Sequence, residues 1–322
     1  MQIVRTVLSI LVFAGICITF PEISDAQEMN ITLLGTGCPP PVMNRFGPCI
    51  LIEAGGHMLL FDAGRGAMQR LHQVGVHWKE ISGVFLTHFH SDHVVGFPDL
   101  WLTGWLFYPG RDRAVQVWGP VGTKNMMDHL SQAFAEDLRI RVKDDKLNPE
   151  GAVIVSEEVI DGMVIELNGV EVTAFEVDHG SVRPAFGYRI DYEGHSVVLS
   201  GDTRPCENLI KYAAGVDILI HEVASVSSLE RAGYSQERIG TILGHHTSPE
   251  QAGEIFERTR PKLAIYSHIV RPDASEAEIF KATRKRYTGP VEVGEDLMKI
   301  SIGDTIVLSR PGTTEADEFP SR

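Results

Sequence analysis

The sequence predicts an α/β fold in which mixed β-sheets are covered by helices. In its first half, short apolar segments are separated by glycine turns, which is typical of β-hairpins. In its second half, short apolar strands alternate with helical patterns, which is typical of parallel strand–helix units. The chain has 322 residues, 43% of them hydrophobic, so it can bury a large core. No proline- or glycine-rich linker divides it, and we expect one domain over residues 27–310.

The first half begins with a predicted strand over 30–34 that ends at Gly35-Thr36-Gly37. Strands over 49–53 and 58–61 form a hairpin around Gly55-Gly56. Apolar spacing then predicts helices and short strands in turn: a helix over 68–74, a strand over 83–86, a helix over 94–108, a strand over 115–118 and a helix over 123–134. Residues 138–160 are charged and weakly patterned, and we interpret them as surface.

The second half contains predicted strands over 164–167, 170–176, 186–190 and 196–199. Strands over 218–220 and 262–266 then alternate with helices over 249–258 and 275–286, and a last strand is expected over 301–308. Residues 311–322 form a polar tail that we expect to be loose.

The first 26 residues have the pattern of a signal peptide. Arg5 provides a basic start, residues 6–20 are apolar but short for a membrane span, and Ser24-Asp25-Ala26 supplies small residues at the usual cleavage spacing. The protein is therefore expected to be periplasmic or secreted, with no membrane contact beyond export. A buried N-terminal strand or an uncleaved anchor is the alternative interpretation.

Charge and cysteine content narrow the function classes. The formal net charge of −14 repels phosphate backbones at long range, which argues against nucleic acid as the main partner. A small anionic substrate remains compatible with it, because bound metal ions dominate a local field. Beyond the signal, Cys38, Cys49 and Cys206 form no CxxC pair, which argues against a thiolate zinc site. An exported protein could oxidise two of them, but small buried side chains are the favoured interpretation.

The run Thr87-His88-Phe89-His90-Ser91-Asp92-His93 concentrates four metal-ligating side chains within six positions. Alternation along an extended stretch places His88 and His90 on one side, and Asp92 and His93 then turn toward a second centre. Imidazole nitrogen and carboxylate oxygen are ligands that zinc accepts in catalytic sites. This run therefore predicts a pair of divalent ions that share one oxygen nucleophile.

Three further candidates follow predicted strands. His179 follows the strand over 170–176, Asp202 follows the strand over 196–199, and His268 follows the strand over 262–266. Strand ends are where layered α/β folds assemble their sites. A lone histidine or aspartate there is usually a satisfied polar residue or a turn former, but together with the histidine run these three complete two metal centres.

The order THxHxDH, His, Asp, His resembles the metallo-β-lactamase superfamily of dinuclear hydrolases. Further agreement resembles its ribonuclease Z branch, in the segments Leu34-Gly35-Thr36-Gly37, Phe61-Asp62-Ala63-Gly64, Phe186-Gly187-Tyr188-Arg189-Ile190, Gly201-Asp202-Thr203-Arg204-Pro205-Cys206, His221-Glu222, and His246-Thr247-Ser248 with Gln251-Ala252. Within that branch, the chain looks closest to exported arylsulfatases. The resemblance implies a four-layer αββα sandwich of two mixed β-sheets.

The resemblance also implies roles for individual residues. One ion binds His88, His90 and His179, the other binds Asp92, His93 and His268, and Asp202 bridges both ions together with a hydroxide. Asp92, His246 and Glu222 are then the catalytic residues, because His246 is placed as proton donor to the leaving group and Glu222 as its orienting partner. Asp62 is expected to hold a ligand rather than to be one. The two ions are expected to be Zn²⁺, although Mn²⁺ or iron suits the same ligands.

One departure from ribonuclease Z decides the expected substrate. That family carries a long basic arm, which grips transfer RNA, just after the Gly-Tyr-Arg-Ile strand. Here only residues 191–196 join that strand to the next, with two acids and no Lys or Arg. We therefore expect no tRNA partner and predict an exported dinuclear hydrolase of small esters, either aryl sulfates or phosphodiesters.

Four alternatives remain open from the sequence. They are a lactonase, a β-lactamase-type hydrolase, a ribonuclease Z-like phosphodiesterase, and a non-catalytic metal-binding protein, which the complete ligand set disfavours. The resemblance implies that relatives are often dimers, so a homodimer is compatible with it.

Overall fold

The computed structural model describes residues 28–271 and 273–312 and the backbone of residues 316–320. The predicted signal peptide lies outside the described residues. Among the described residues, no helix combines the length and the apolar character needed to cross a membrane.

The strands in chain order are β1 (Met29–Gly35), β2 (Cys49–Ala54), β3 (His57–Phe61), β4 (Ile81–Phe85), β5 (Val115–Gly119), β6 (Ile154–Glu158), β7 (Val164–Leu167), β8 (Val170–His179), β9 (Val182–Tyr192), β10 (His195–Leu199), β11 (Ile218–Ala224), β12 (Leu263–Val270), β13 (Val291–Val293), β14 (Lys299–Ile302), β15 (Thr305–Ser309) and β16 (Ala316–Pro320). The α-helices are α1 (Ala67–Gln73), α2 (Ser91–Val94), α3 (Phe97–Leu106), α4 (Thr123–Ala133), α5 (Ala135–Ile140), α6 (Glu207–Ala213), α7 (Val226–Arg231), α8 (Gln236–Leu243), α9 (Pro249–Thr259) and α10 (Glu276–Thr283).

The described strands form two mixed sheets. The nine-stranded sheet has the order β16-β15-β14-β1-β2-β3-β4-β5-β6, and the seven-stranded sheet has the order β13-β12-β11-β10-β9-β8-β7. Each sheet is antiparallel on one side and parallel on the other, with β3 to β6 and β10 to β13 as the parallel sets. The two halves of the sequence thus produce the predicted mixture of hairpins and strand–helix units.

Three apolar clusters define four layers. The first lies between the sheets and joins side chains from both, including Ile31, Phe85, Tyr188 and Ile265. The second packs α6, α9 and α10 against the seven-stranded sheet, and the third packs α1, α3 and α4 against the nine-stranded sheet. The predicted αββα sandwich is therefore confirmed.

The sheets are also hydrogen-bonded to each other beside the histidine run. The buried Tyr188 hydroxyl donates to the Leu86 carbonyl at 2.7 Å, and the Phe186 amide donates to the Thr87 carbonyl at 2.9 Å. A buried hydroxyl or amide needs such a partner, so these bonds fix the carboxyl end of β4 against β9.

The connection between β9 and β10 is a two-residue turn. Glu193 and Gly194 have φ values of 48° and 83°, as a tight hairpin turn requires. No arm is therefore inserted between β9 and β10, as the length of this segment predicts.

The structure corrects several secondary-structure predictions. Within the segment interpreted as surface, residues 154–158 form the edge strand β6, whose exposed side chains blur the usual alternation. The strand expected over 301–308 is a hairpin, because Gly303-Asp304 is a turn between β14 and β15. Residues 316–320 of the expected loose tail pair with β15 through backbone bonds. The elements that were not predicted are α2, α5, α6, α7, α8 and β13.

Candidate metal centre

The histidine run occupies the turn between β4 and α3. His90 has an extended backbone and caps the one-turn helix α2, so the chain changes direction between the first two histidines and Asp92. His88, Asp92 and His93 are buried, whereas His90 is exposed at the cavity edge. The run therefore presents ligands toward two neighbouring points, as its spacing predicts.

The three distant candidates converge on the same place. His179 is the last residue of β8, and Asp202 follows β10 by three residues. His268 lies inside β12 rather than after the strand, as the sequence had suggested, and its left-handed φ of 41° accompanies a shift in register between β11 and β12. This irregularity turns the His268 ring toward Asp202 while the strand continues.

All seven predicted ligands lie together and form two groups. In the first group, one ligand atom from each of His88, His90, His179 and Asp202 lies within 4.8 Å of the others. His179 Nε2 is 3.2 Å from His90 Nδ1, and both His88 Nε2 and His179 Nε2 are 3.9 Å from Asp202 Oδ2.

The second group comprises Asp92, His93 and His268. His268 Nε2 is 3.4 Å from Asp92 Oδ2, and His93 Nε2 is 3.7 Å from the same oxygen. Both rings also lie 3.4 Å from Asp202 Oδ2. The Asp202 carboxylate thus stands between the groups, in reach of four of the predicted ligand histidines.

The donor set fits divalent ions. Ligands bound to zinc at 2.0–2.2 Å stand about 3.3 Å apart in a tetrahedral site, which is close to the spacings of these nitrogen and oxygen atoms. His88 Nε2 and His93 Nε2 are buried and have no hydrogen-bond partner among the described residues. Buried polar atoms rarely stay unpaired, so the cluster is capable of binding metal.

Neighbouring groups orient the ligand rings. His93 Nδ1 lies 2.7 Å from Asp62 Oδ2, His88 Nδ1 lies 3.0 Å from Thr87 Oγ1, and His179 Nδ1 lies 2.8 Å from the His245 carbonyl. The carboxylate and the carbonyl can only accept, so they require the proton on Nδ1 of His93 and His179 and leave Nε2 as the ligand atom. The Thr87 hydroxyl engages Nδ1 of His88 and leaves its Nε2 free as well. Asp62 therefore holds His93 as expected, while the contribution of the His245 backbone was not predicted.

The electrostatics of the cluster reflect its burial and its mixed charges. Burial lowers the pKa of His88 well below its ordinary value and lowers the pKa of His179 to about 4. For His93, burial acts in the opposite direction from Asp202 and Asp62, and the two carboxylates hold its pKa well above the ordinary value. For Asp202, burial is outweighed by His268 and His93, so its pKa is well below the usual range. Bound divalent ions would take the place of these protons.

His246 and Glu222 border the cluster. His246 Nδ1 lies 3.3 Å from Glu222 Oε1 and 4.0 Å from Asp202 Oδ2. Burial lowers the pKa of His246, but the Glu222 carboxylate outweighs it and raises the pKa to about 9. Glu222 lies within β11 rather than after it, and it is fixed by the Thr247 amide at 2.9 Å. His246 therefore faces the site rather than solvent.

Residues 57–269 match the family model described as the Beta-lactamase superfamily domain. The chain belongs to this superfamily. As the fold and the ligand cluster indicate, it is a metal-dependent hydrolase of the metallo-β-lactamase type.

Relatives within the superfamily include several proteins named ribonuclease Z. The chain is 36% identical over 279 residues to that of Mycolicibacterium gilvum, which covers 85% of this chain and 96% of the relative. It is 37% identical over 278 residues to the ribonuclease Z of Mycobacterium avium, and this alignment covers 85% of the present chain and 98% of the relative. The predicted resemblance to the ribonuclease Z branch is thereby confirmed.

Solved structures of the superfamily share this fold. A metallo-β-lactamase fold protein from Bacillus subtilis superposes with a TM-score of 0.68 at 16% identity, covering 85% of this chain and all of that one. The short form of human tRNase Z superposes with a TM-score of 0.61 at 22% identity, covering 84% of this chain and 98% of that one. A diphosphatase of the PhnP family superposes with a TM-score of 0.59 at 18% identity, covering 84% of this chain and 96% of that one.

A cavity of about 500 Å³ opens onto the ligand cluster. Besides metal-site residues, its walls include Cys38, Tyr234, Arg238 and Arg271, which sequence reasoning missed. No local sequence signal marks them, because they come from three separate segments. Cys38 is buried with a free thiol, and Cys49 and Cys206 are free as well.

Asp296 is a second omission. Its carboxylate accepts from the Thr36 amide and hydroxyl, the Phe46 amide and the Arg70 guanidinium, at 2.7–3.2 Å. These bonds fix the loop 36–47, which carries Cys38 to the cavity. An acid just beyond a strand, as at Asp202, is a signal that could have found Asp296.

Proposed function

We propose that this protein is a dinuclear metal-dependent phosphodiesterase that acts on small esters. The observation that carries the proposal is that a complete ligand set and an adjoining His246–Glu222 pair lie together beside one cavity. His90, Asp92, Asp202, His246 and His268 line that cavity directly. Metal binding alone would not require a half-buried histidine paired with a buried carboxylate beside the ligands.

The two ligand groups support a site for two ions. His88, His90 and His179 would hold one ion, and Asp92, His93 and His268 the other, with Asp202 shared. When bound, such ions supply an activated water molecule and stabilise negative charge on the phosphoryl oxygens. Zn²⁺ suits these ligands, and Mn²⁺ or iron would suit them too.

His246 supplies the other half of the chemistry. Burial lowers its pKa, but Glu222 outweighs burial and raises the pKa to about 9 in the metal-free protein, where the ring is protonated at neutral pH. A protonated imidazole at the cavity wall can pass its proton to the leaving oxygen of a cleaved ester. Glu222 orients the ring and is itself held by the Thr247 amide, so it acts as a positioning residue.

The choice of phosphodiester over aryl sulfate follows from the relatives. Proteins named ribonuclease Z match along nearly their whole length, and the fold is shared with a diphosphatase. The expected preference for aryl sulfates has no comparable support. The size of the cavity, about 500 Å³, and the two-residue β9–β10 turn favour a small ester over a folded RNA.

Substrate assays on purified protein test this proposal. The protein is stripped with a chelator, reloaded separately with zinc, manganese or iron, and its bound metal is counted by mass spectrometry. We expect metal-dependent hydrolysis of bis-p-nitrophenyl phosphate, and less or no hydrolysis of p-nitrophenyl sulfate, nitrocefin, a lactone and precursor tRNA. Cleavage of precursor tRNA at a rate above the small diester would replace this proposal with a ribonuclease function.

Export is proposed from residues 1–26 alone. Their basic start, apolar run and small residues are the supporting pattern. Edman sequencing of the protein recovered outside the cytoplasm of an expressing cell should begin at Gln27. An intact Met1 on protein confined to the cytoplasm would reject the signal peptide.

A further inference from the structure

Helix α8 forms one wall of the cavity. Arg238, Thr241 and Ile242 line it, and their spacing of three and four residues places them on one face of the helix. His245, two residues past the end of α8, lines the cavity as well. His245 adjoins the ligand cluster, since its carbonyl contacts His179 Nδ1, whereas Arg238 lies two turns of chain earlier in the first half of α8. This wall thus extends from the metal ligands to the exposed Arg238. We call the part of the cavity lined by Tyr234, Arg238 and Arg271 its mouth.

The mouth carries guanidinium groups with unused hydrogen-bond donors. Arg238 is exposed, and among the arginines in residues 28–312 that the structure describes it alone has a guanidinium without a hydrogen-bond or ion-pair partner. Arg271 also lines the cavity; its Nη2 donates to Asp273 at 2.6 Å, but its Nε is buried and unpaired. Its guanidinium lies 5.9 Å from the ring centroid of Tyr234, a third residue of this mouth.

An unpaired arginine at this position is informative because the protein is acidic. With a formal net charge of −14, carboxylates are plentiful, and many of the other surface arginines have paired with one. Guanidinium groups bind phosphate and carboxylate oxygens through parallel N–H donors. Two of them at the entrance would also offset the long-range repulsion of an anionic ligand by the rest of the protein.

We propose that Arg238 and Arg271 form an anion subsite, and that the substrate carries a second phosphate or carboxylate group away from the ester that is cleaved. This inference rests on the proposed phosphodiesterase function and makes its substrate class narrower. The ligand cluster receives the diester, and the mouth holds the second anion. Nucleotide-type diesters with an additional terminal phosphate have this chemistry.

Two matched substrates test the subsite by activity. They are the p-nitrophenyl ester of thymidine 5′-monophosphate and the same ester with an added 3′-phosphate. Because a hydrogen bond to a charged group contributes about 1.5–3 kcal/mol, the wild-type protein should prefer the 3′-phosphorylated ester by about tenfold or more in kcat/KM. Arg238→Ala should bring the ratio near one, Arg238→Lys should retain part of it, and Arg113→Ala, which removes an exposed arginine outside the cavity, should leave it unchanged.

Calorimetry on the metal-free protein gives a readout that does not depend on turnover. Thymidine 3′,5′-bisphosphate should bind about tenfold more tightly than thymidine 5′-monophosphate, and Arg238→Ala should remove the difference. Equal binding of the two nucleotides by wild type, or an unchanged difference in the variant, would overturn the subsite. Failure of both esters to be hydrolysed by the metal-loaded protein would instead overturn the phosphodiesterase proposal, and the calorimetric comparison would still decide the subsite.

Discussion

Asp62→Asn provides the sharpest test of how the metal cluster is supported. The Asp62 carboxylate accepts from the Thr87 amide at 2.8 Å, the Thr87 hydroxyl at 2.9 Å and His93 Nδ1 at 2.7 Å. In the amide variant, one oxygen can still accept from Thr87, but an NH₂ group faces the N–H of His93. Two donors then oppose each other in a buried position, and the His93 ring turns away from its ligand orientation.

The magnitude follows from these contacts. Removing a residue that orients a metal-bound histidine typically weakens metal affinity 10–100-fold, or about 1.4–2.7 kcal/mol. The lost charge-assisted bond should lower the free energy of unfolding of the metal-free protein by about 1.5–3 kcal/mol. Since Asp62 touches only His93 among the ligands, we expect one of two ions to be weakened much more than the other.

The assay is a zinc titration against a chromophoric chelator, together with urea unfolding of the metal-free protein. Asp217→Asn is the matched control, because Asp217 is equally buried and accepts from the Ser196 amide at 2.7 Å and from Lys262 at 2.6 Å. It lies at the opposite end of β10 from Asp202, so it should cost stability without changing zinc affinity. If Asp62→Asn holds both ions with wild-type affinity, the proposed support of His93 is refuted.

Three further predictions concern the rest of the site. His246→Gln should retain the bound metal but lower kcat for bis-p-nitrophenyl phosphate by about 10²–10⁴, since it removes the proposed proton donor; metal analysis beside steady-state kinetics checks this. Gly180→Ala should lower the free energy of unfolding by about 1–2 kcal/mol, because the φ of Gly180 is 64°. It should also weaken zinc binding, because the added Cβ would lie 2.9 Å from the Gly244 carbonyl, next to the His245 carbonyl that orients His179. Urea unfolding measures the first effect and zinc titration the second. Removing metal with a chelator should lower the unfolding midpoint by about 10 °C relative to protein with zinc at a thousandfold excess over its Kd, which scanning calorimetry measures.

Each of these has a result that would contradict it. Loss of metal in His246→Gln would make His246 a ligand rather than a proton donor. Gly215→Ala is the control for Gly180, because its φ is 68° and its Cβ would meet nothing within 4 Å; equal zinc affinities in the two variants would remove the proposed role of the Gly180 contact. An unchanged unfolding midpoint after chelation would show that the folded cluster does not bind zinc preferentially.

The sequence determined the local part of the site. His88, His90, Asp92 and His93 are so close along the chain that one turn after a strand must bring them together, whatever surrounds them. The strand pattern likewise placed His179 and Asp202 at strand ends, because alternating burial marks where a strand stops. The tight β9–β10 turn could be predicted as well, because the few residues between the two predicted strands leave no room for an inserted arm.

Tertiary structure decided which distant residues meet. His268 reaches Asp202 only because β12 changes register and takes a left-handed φ, and Arg238 reaches the cavity only because α8 packs beside it. Asp296 and the His245 carbonyl act across more than 60 residues of chain, so no local pattern could reveal them. Ligand spacing and hydrophobic periodicity depend only on neighbouring residues. Contacts between layers depend on how two sheets and their helices pack, which is a property of the whole chain.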